Sequence, residues 1–193
     1  MTTRDPFEWF AAWLKDAERS ESDNPTAAAI ATVGLEGRPS VRMILLRGFD
    51  TRGFVFYTNL DSRKGQDIRQ QSHTALCFHW KSLARQVRVE GSTEQVDDAE
   101  ADAYFATRPR DSQIGAWASK QSEVLAERSI LDARVAAFTQ QFDTAPVPRP
   151  PFWSGYRVVP AAIEFWEEGS FRLHERTSYV RTGMGWSITK RYP

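Results

Sequence analysis

Asp61-Ser62-Arg63-Lys64-Gly65 places two cations in the first turn of an expected helix. A helix dipole disfavours cations at that end by about 0.3–1 kcal/mol each, and a bound anion reverses the penalty. Free backbone N–H groups beside two cations make a phosphate site. A solvated, charged helix end is the plain alternative, and the local sequence leaves both open. A second cation pair, Arg42 and Arg47, flanks the apolar run Met43-Ile44-Leu45-Leu46. A guanidinium offers a planar fork suited to phosphate oxygens, although a salt bridge to a carboxylate is the commoner fate of any single arginine. Tyr104, Arg108, Arg110 and Ser112 form a third cluster, where a helix end runs into a loop. Arginine there also simply caps a helix C-terminus. The fourth cluster is Arg172-Leu173-His174-Glu175-Arg176 on an expected strand. Period-two alternation puts Arg172, His174 and Arg176 on one face. An anionic ligand would explain such a row; exposure to water is the commoner explanation.

Several other chemistries lack their residues. His73, His79 and His174 are scattered, with no cysteine or carboxylate at ligand spacing, so no metal is expected. There is no nucleophile elbow or identifiable Ser–His–Asp set, and no glycine-rich dinucleotide or P-loop motif. The single cysteine, Cys77, lies in Ala75-Leu76-Cys77-Phe78 and reads as a small buried hydrophobe. One cysteine allows no intrachain disulfide, which fits a reducing compartment. Lys plus Arg (25) balances Asp plus Glu (25), so neither nucleic acid nor a membrane surface is an expected partner. No apolar stretch has bilayer length and no apolar signal core follows Asp5, so the expected location is cytoplasmic. What remains is a set of local anion grips, pointing to phosphorylated small molecules.

These residues need elements to carry them. The 193 residues suit one domain, 1–193, with an N-terminal helix. Asp5-Pro6-Phe7-Glu8 supplies an N-cap, a proline at the first helical position and a capping-box carboxylate. Phe7, Phe10, Ala11 and Leu14 then keep helical spacing, while Trp9 and Trp13 face a partner or the body of the domain. Strands are expected over Ala27–Val33, Ser40–Leu46, Gly53–Thr58, Thr74–Trp80 and Gln86–Glu90, the last continuing over Thr93–Val96 past a bend at Gly91. Helices are expected to open at Asp61-Ser62, at Asp97 or Asp98, and at Ser122, the last with a stripe of Leu131, Val135, Phe138 and Phe142. A proline-rich connector, Ala145 to Pro151, leads to strands over Tyr156–Val159, Ala162–Trp166, Arg172–Val180 and Trp186–Lys190. Short turns between strands favour antiparallel pairing over a doubly wound sheet. Seven Trp, twelve Phe and five Tyr exceed ordinary need; aromatics line cofactor pockets and subunit interfaces, although most must pack the core.

The ordered motifs resemble the pyridoxamine 5′-phosphate oxidase family from about Asp5 to Pro193. They include Arg38-Pro39-Ser40-Val41-Arg42-Met43-Ile44-Leu45-Leu46, Gly53-Phe54-Val55-Phe56-Tyr57-Thr58-Asn59, Ser62-Arg63-Lys64-Gly65 and Arg85-Gln86-Val87-Arg88-Val89-Glu90-Gly91. Tyr104-Phe105-Ala106-Thr107-Arg108-Pro109, Ser112-Gln113-Ile114-Gly115-Ala116-Trp117-Ala118-Ser119, Gln121-Ser122, Glu164-Phe165-Trp166 and Arg172-Leu173-His174-Glu175-Arg176 continue the series. The resemblance implies a mainly β fold with helices, a split β-barrel with antiparallel, Greek-key-like strands. It also implies a homodimer with two FMN molecules at the interface, each touched by both subunits. Arg42, Tyr57, Thr58, Arg63, Lys64, Gln86, Gln121, Ser122, Trp166 and Arg176 are the implied FMN contacts, with Arg63 and Lys64 on its phosphate. Tyr104, Arg108 and Ser112 are the implied grip on the substrate phosphate, and Arg172 and His174 the catalytic residues over the substrate ring. The implied reaction is oxidation of pyridoxamine or pyridoxine 5′-phosphate to pyridoxal 5′-phosphate, with O2 reduced to hydrogen peroxide. Arg47 stands where the family pattern has lysine on the substrate phosphate. It keeps the charge but is longer and forked. The Lys190-Arg191-Tyr192-Pro193 ending also departs from the family's usual Arg-Leu-x-Pro. Two rival readings are a flavin oxidase of another ring system, such as those of phenazine biosynthesis, and a non-catalytic FMN- or pyridoxal-phosphate-binding protein.

Overall fold

The computed structural model describes residues 5–183 and 185–193. Helix α1 (Pro6–Ser20) starts as its sequence dictates: the Asp5 carboxylate accepts from the N–H groups of Phe7 and Glu8 at 2.8 and 3.2 Å. Phe7, Phe10, Trp13, Leu14 and Ala17 are buried along it. Trp9 stacks on Phe165 with centroids 4.2 Å apart, so the second aromatic face packs on the body of the protein.

The strands are β1 (Ala27–Val33), β2 (Pro39–Leu45), β3 (Gly48–Asp50), β4 (Gly53–Asn59), β5 (His73–Trp80), β6 (Arg85–Gln95), β7 (Trp153–Glu167), β8 (Glu175–Thr182) and β9 (Gly185–Arg191). They join in the order β2-β1-β5-β6-β7-β4-β3, with β8 and β9 added beside the later part of β7. All pairings are antiparallel. The sheet curls into the expected split barrel around Ile30, Phe54, Phe56, Leu76, Phe78, Val87 and Ile163. Phe10 closes it from α1, its ring 4.9–5.0 Å from those of Phe49, Phe54 and Phe78. The early part of β7 pairs with β4 and the later part with β8, while β6 runs along its other side. The expected bend at Gly91 is a register shift between Glu90 and Gly91. A Cβ at Gly91 would lie 2.0 Å from the Val159 carbonyl oxygen, so only glycine allows that approach.

The other helices are α2 (Arg63–Gln70), α3 (Asp98–Thr107), α4 (Arg110–Ala118) and α5 (Arg128–Phe142). A smaller apolar cluster, Phe105, Ile114, Phe142, Val147 and Trp153, ties α3, α4 and α5 to the start of β7. No helix among the described residues is long and apolar enough to cross a membrane.

Several expectations need correction. Ser122 does not cap α5; it has φ 76°, and the cap residue is Glu127. Along α5 only Phe142 is buried, and Val135 is exposed, because the helix packs mainly on α4, through Trp117 against Phe138 and Phe142. Arg110 opens α4 rather than a loop, and its guanidinium donates to the carbonyls of Ala145 and Asp143. The strand expected from Arg172 begins at Glu175. Arg172 instead ends a 3-10 turn, Ser170–Arg172, with φ 64° after Phe171 at φ 58°. Arg172, His174 and Arg176 therefore do not share one strand face.

Candidate functional site

Helix α2 packs tightly on the turn that precedes it. A Cβ at Gly65 would lie 2.1 Å from the Leu60 carbonyl oxygen, and Ser62 caps the helix by accepting from the Gly65 N–H. That seating buries Lys64 while Arg63 stays exposed. The Lys64 ammonium donates to Gln121 Oε1 at 2.7 Å, Thr58 Oγ1 at 3.0 Å and Ser62 Oγ at 3.3 Å. All three acceptors are neutral, and among the described residues no carboxylate pairs with Lys64. Burial, helped by the nearby Arg42 charge, pulls its pKa down to about 8. A buried cation without a counter-charge is costly; an anion would relieve it.

Arg42 is held to one side of this group. It donates to Thr32 Oγ1 at 2.6 Å and Ser40 Oγ at 2.7 Å, and lies 3.8 Å from the Asp67 carboxylate. Burial lowers its pKa, Asp67 opposes that shift, and Arg63 adds to it. The charge of Arg42 thus acts on Lys64 and is acted on by Arg63, while its one ion pair among the described residues is with Asp67.

The second grouping is aromatic. The rings of Tyr57 and Tyr104 stack at 3.9 Å and 11°, and Trp153 lies parallel to both, 5.4 Å from Tyr57 and 6.2 Å from Tyr104. Burial pushes the Tyr57 phenol up to about 12, so it stays protonated. The Arg108 guanidinium sits 4.8 Å over Trp153 and 5.6 Å over Phe105. Its Nη1 is buried without a hydrogen-bond partner among the described residues. Burial lowers its pKa, with Tyr104 opposing the shift and Arg47 reinforcing it. An orphaned, buried guanidinium N–H marks a missing acceptor.

Both groupings line one cavity of about 420 Å³, together with Arg47, Ser112, Asn59 and Ser119. Of the residues singled out in the sequence, it gathers Tyr57, Thr58, Lys64, Gln121, Arg47, Tyr104, Arg108 and Ser112. Arg42 and Arg63 adjoin it from outside, and Ser122 lines a neighbouring groove. Trp153 was missed; its only sequence signal is the aromatic pair Phe152-Trp153 directly after the proline connector.

The remaining candidates form a separate cluster on the sheet. Gln86 faces Trp166 across β6–β7, and Trp166 faces Arg176 across β7–β8. The His174 ring lies 4.6 Å from that of Trp166, and its Nδ1 accepts from the Gly169 N–H. Arg176 is bidentate to Glu164 at 2.9 and 3.0 Å. None of Gln86, Trp166, Arg172, His174 and Arg176 lines the cavity. The candidate residues therefore fall into two separate groups on one chain.

Comparison with known proteins agrees with this layout. Residues 14–142 match the family model described as pyridoxamine 5′-phosphate oxidase. Residues 153–193 match the pyridoxine 5′-phosphate oxidase C-terminal dimerisation region. The chain is 56% identical over 189 residues to the pyridoxine/pyridoxamine 5′-phosphate oxidase of Gluconobacter oxydans, covering 98% of this chain and 94% of that protein. It is 55% identical over 198 residues to the enzyme of the same name from Rhodospirillum rubrum, covering 100% and 98%. Among solved structures, PhzG from Burkholderia lata in complex with tetrahydrophenazine-1-carboxylic acid superposes with a TM-score of 0.93 at 31% identity, over 100% of this chain and 94% of that one. A pyridoxamine 5′-phosphate oxidase-related, FMN-binding protein from Nostoc punctiforme shares the fold over the full length of both chains, at a TM-score of 0.77 and 20% identity. With both family models matched in order and more than half of the residues identical to those of named oxidases, the chain is an oxidoreductase and belongs to the pyridoxamine 5′-phosphate oxidase family.

Proposed function

We propose that the protein binds FMN and oxidises pyridoxamine 5′-phosphate or pyridoxine 5′-phosphate to pyridoxal 5′-phosphate, with O2 reduced to hydrogen peroxide. The observation that carries this reading is a cavity with two cationic grips, each lacking an anion: Lys64 among neutral oxygens, and Arg108 with an orphaned Nη1. Two phosphate esters, one on a flavin and one on a vitamin ring, meet both needs. The names of the Gluconobacter and Rhodospirillum relatives support the same substrates.

Lys64, Arg63 and Arg42 fit the FMN phosphate, with Tyr57, Thr58, Gln121 and Ser122 completing that side. Arg108, Tyr104, Ser112 and Arg47 fit the substrate phosphate. Gln86, Trp166, Arg176, Arg172 and His174 reach a cavity when supplied by a second copy of the chain, which the matched dimerisation region supports. Bound FMN would supply the two-electron redox chemistry, accepting hydride from the substrate and passing the electrons to O2. The chain's own work is placement. The phosphate grip fixes one end of the substrate, so that C4′ meets the cofactor in one orientation. Arg172 steers the ring and offsets developing charge, and His174 hydrogen-bonds the reacting end. For the amine substrate, water replaces the amine and ammonia leaves, which balances the oxidation.

An oxygen-uptake assay on FMN-saturated protein tests the reading. Pyridoxamine 5′-phosphate is expected to give peroxide and pyridoxal 5′-phosphate, and unphosphorylated pyridoxamine little of either. A yellow protein that makes no peroxide with either phosphorylated substrate overturns it. The likeness to PhzG favours a second reading, oxidation of a reduced phenazine acid. Faster turnover of that compound would select it.

The Lys64 pKa of about 8 gives a pH dependence of definite sign. A bound phosphate restores the ammonium, so above pH 8 binding must take up a proton. FMN affinity is then full below pH 8 and falls above it, approaching about tenfold per pH unit. For the free protein the sign is opposite. The cost of the buried cation is present below pH 8 and is lifted as pH rises towards the ordinary lysine range, so this group adds stability there. Flavin fluorescence titrations between pH 7 and 9 check the first statement; a flat affinity contradicts it.

A further inference from the structure

Helix α3 carries Tyr104, and Arg108 is its C-terminal cap residue, yet the helix buries only Ala101 and Phe105. So little apolar contact is a weak anchor for a helix that bears half of a phosphate grip. Its acidic residues supply the rest. Arg157, on β7 with a side chain only 4% exposed, donates from Nη2 to both carboxylate oxygens of Glu100 at 2.8 and 2.9 Å. The same guanidinium lies 3.4 Å from Asp50 and 3.9 Å from Glu94. Arg149, in the proline connector, bridges Asp98 at 2.7 Å and Asp102, and its Nη1 donates to the Trp153 carbonyl at 2.8 Å.

We propose that Arg157 and Arg149, both outside the cavity, are positioning residues that hold α3 by its carboxylates and thereby fix Tyr104 and Arg108 on the substrate phosphate. This rests on the function proposed above. Glu100 and Tyr104 are one helical turn apart on the same face. Loosening Glu100 therefore moves Tyr104 relative to Tyr57, on which it stacks at 3.9 Å. Arg149 ties the same helix to the backbone of Trp153, the ring under the Arg108 guanidinium. Ion pairs made by a buried or half-buried arginine fork hold geometry as well as energy. The clamp touches neither Lys64 nor Arg42, so its loss should weaken the grip assigned to substrate far more than the FMN side, which it reaches through Tyr57.

The test uses the FMN-saturated full chain. Glu100→Gln keeps the shape and removes the charge. It is expected to raise KM for pyridoxamine 5′-phosphate about 10-fold and to weaken inorganic phosphate binding, read by calorimetry, by a similar factor. The kcat and the FMN affinity should each stay within about 2-fold. Asp98→Asn with Asp102→Asn alters only exposed carboxylates, so it reports even if Glu100→Gln folds poorly; a KM rise of about 3-fold is expected. Unchanged KM and phosphate binding in either variant overturn the proposal, as does a parallel fall in kcat and FMN affinity. Failure of the wild-type protein to oxidise the substrate would instead overturn the parent reading. Phosphate calorimetry would still decide the clamp.

Discussion

Arg172→Ala is expected to lower kcat on pyridoxamine 5′-phosphate by about 100-fold while FMN content stays at the wild-type level. Arg172 makes no salt bridge among the described residues, so its removal leaves no carboxylate stranded. It is exposed, at the end of the Ser170–Arg172 turn. Phe171 and Arg172 both hold left-handed backbone, at φ 58° and 64°, at a cost of about 1–3 kcal/mol each. A Cβ at Gly169 would lie 2.0 Å from the Leu173 carbonyl oxygen, so the loop is closely folded rather than slack. Strain kept in an exposed turn needs a use, and presenting Arg172 to a substrate in a neighbouring subunit's cavity is one. Alanine accepts the same backbone no worse than arginine does, so folding should be preserved. Steady-state kinetics together with flavin absorbance per protomer give the readout. Turnover near wild type would remove Arg172 from the mechanism.

Arg108→Met is expected to act on binding instead, raising KM for the phosphorylated substrate by roughly 10–100-fold. The guanidinium is a half-buried cation whose buried Nη1 has no partner among the described residues, so in the free protein it is a cost. Methionine keeps much of the apolar contact with Trp153 and Phe105 and leaves no unpaired donor. The melting temperature without ligand should therefore hold or rise, while protection by inorganic phosphate is lost. Loss of stability with an unchanged KM would mean that Arg108 is structural.

The strands were legible because alternating apolar residues and short turns mark them locally, and Gly91 marked the β6 bend for the same reason. The segment Arg110–Ala118 was not read as a helix. It has no side-chain cap, contains Gly115, and is held by tertiary contacts: Arg134 donates to the carbonyls of Ala118 and Trp117. Ser122 misled because a good capping residue sits in left-handed backbone instead. Lys64 was findable at the site, since two cations at a helix start are unfavourable without an anion. The row Arg172, His174 and Arg176 failed because the period-two argument assumes extended backbone, and the turn at Phe171 breaks it. Trp153 and the Arg157 clamp were invisible because their partners lie some 50 residues away in the chain.

The central claim is that one working site takes its cavity from one subunit and its Arg172 from another. Heterodimers joining an Arg108→Met chain to an Arg172→Ala chain test it directly. Each variant homodimer is expected to be nearly inactive at substrate levels near the wild-type KM. In a two-fold dimer the mixed pair then holds one site with both substitutions and one with neither. Heterodimers isolated with two affinity tags should recover about half of wild-type turnover. Activity no higher than that of the two variant homodimers would contradict a site shared between subunits.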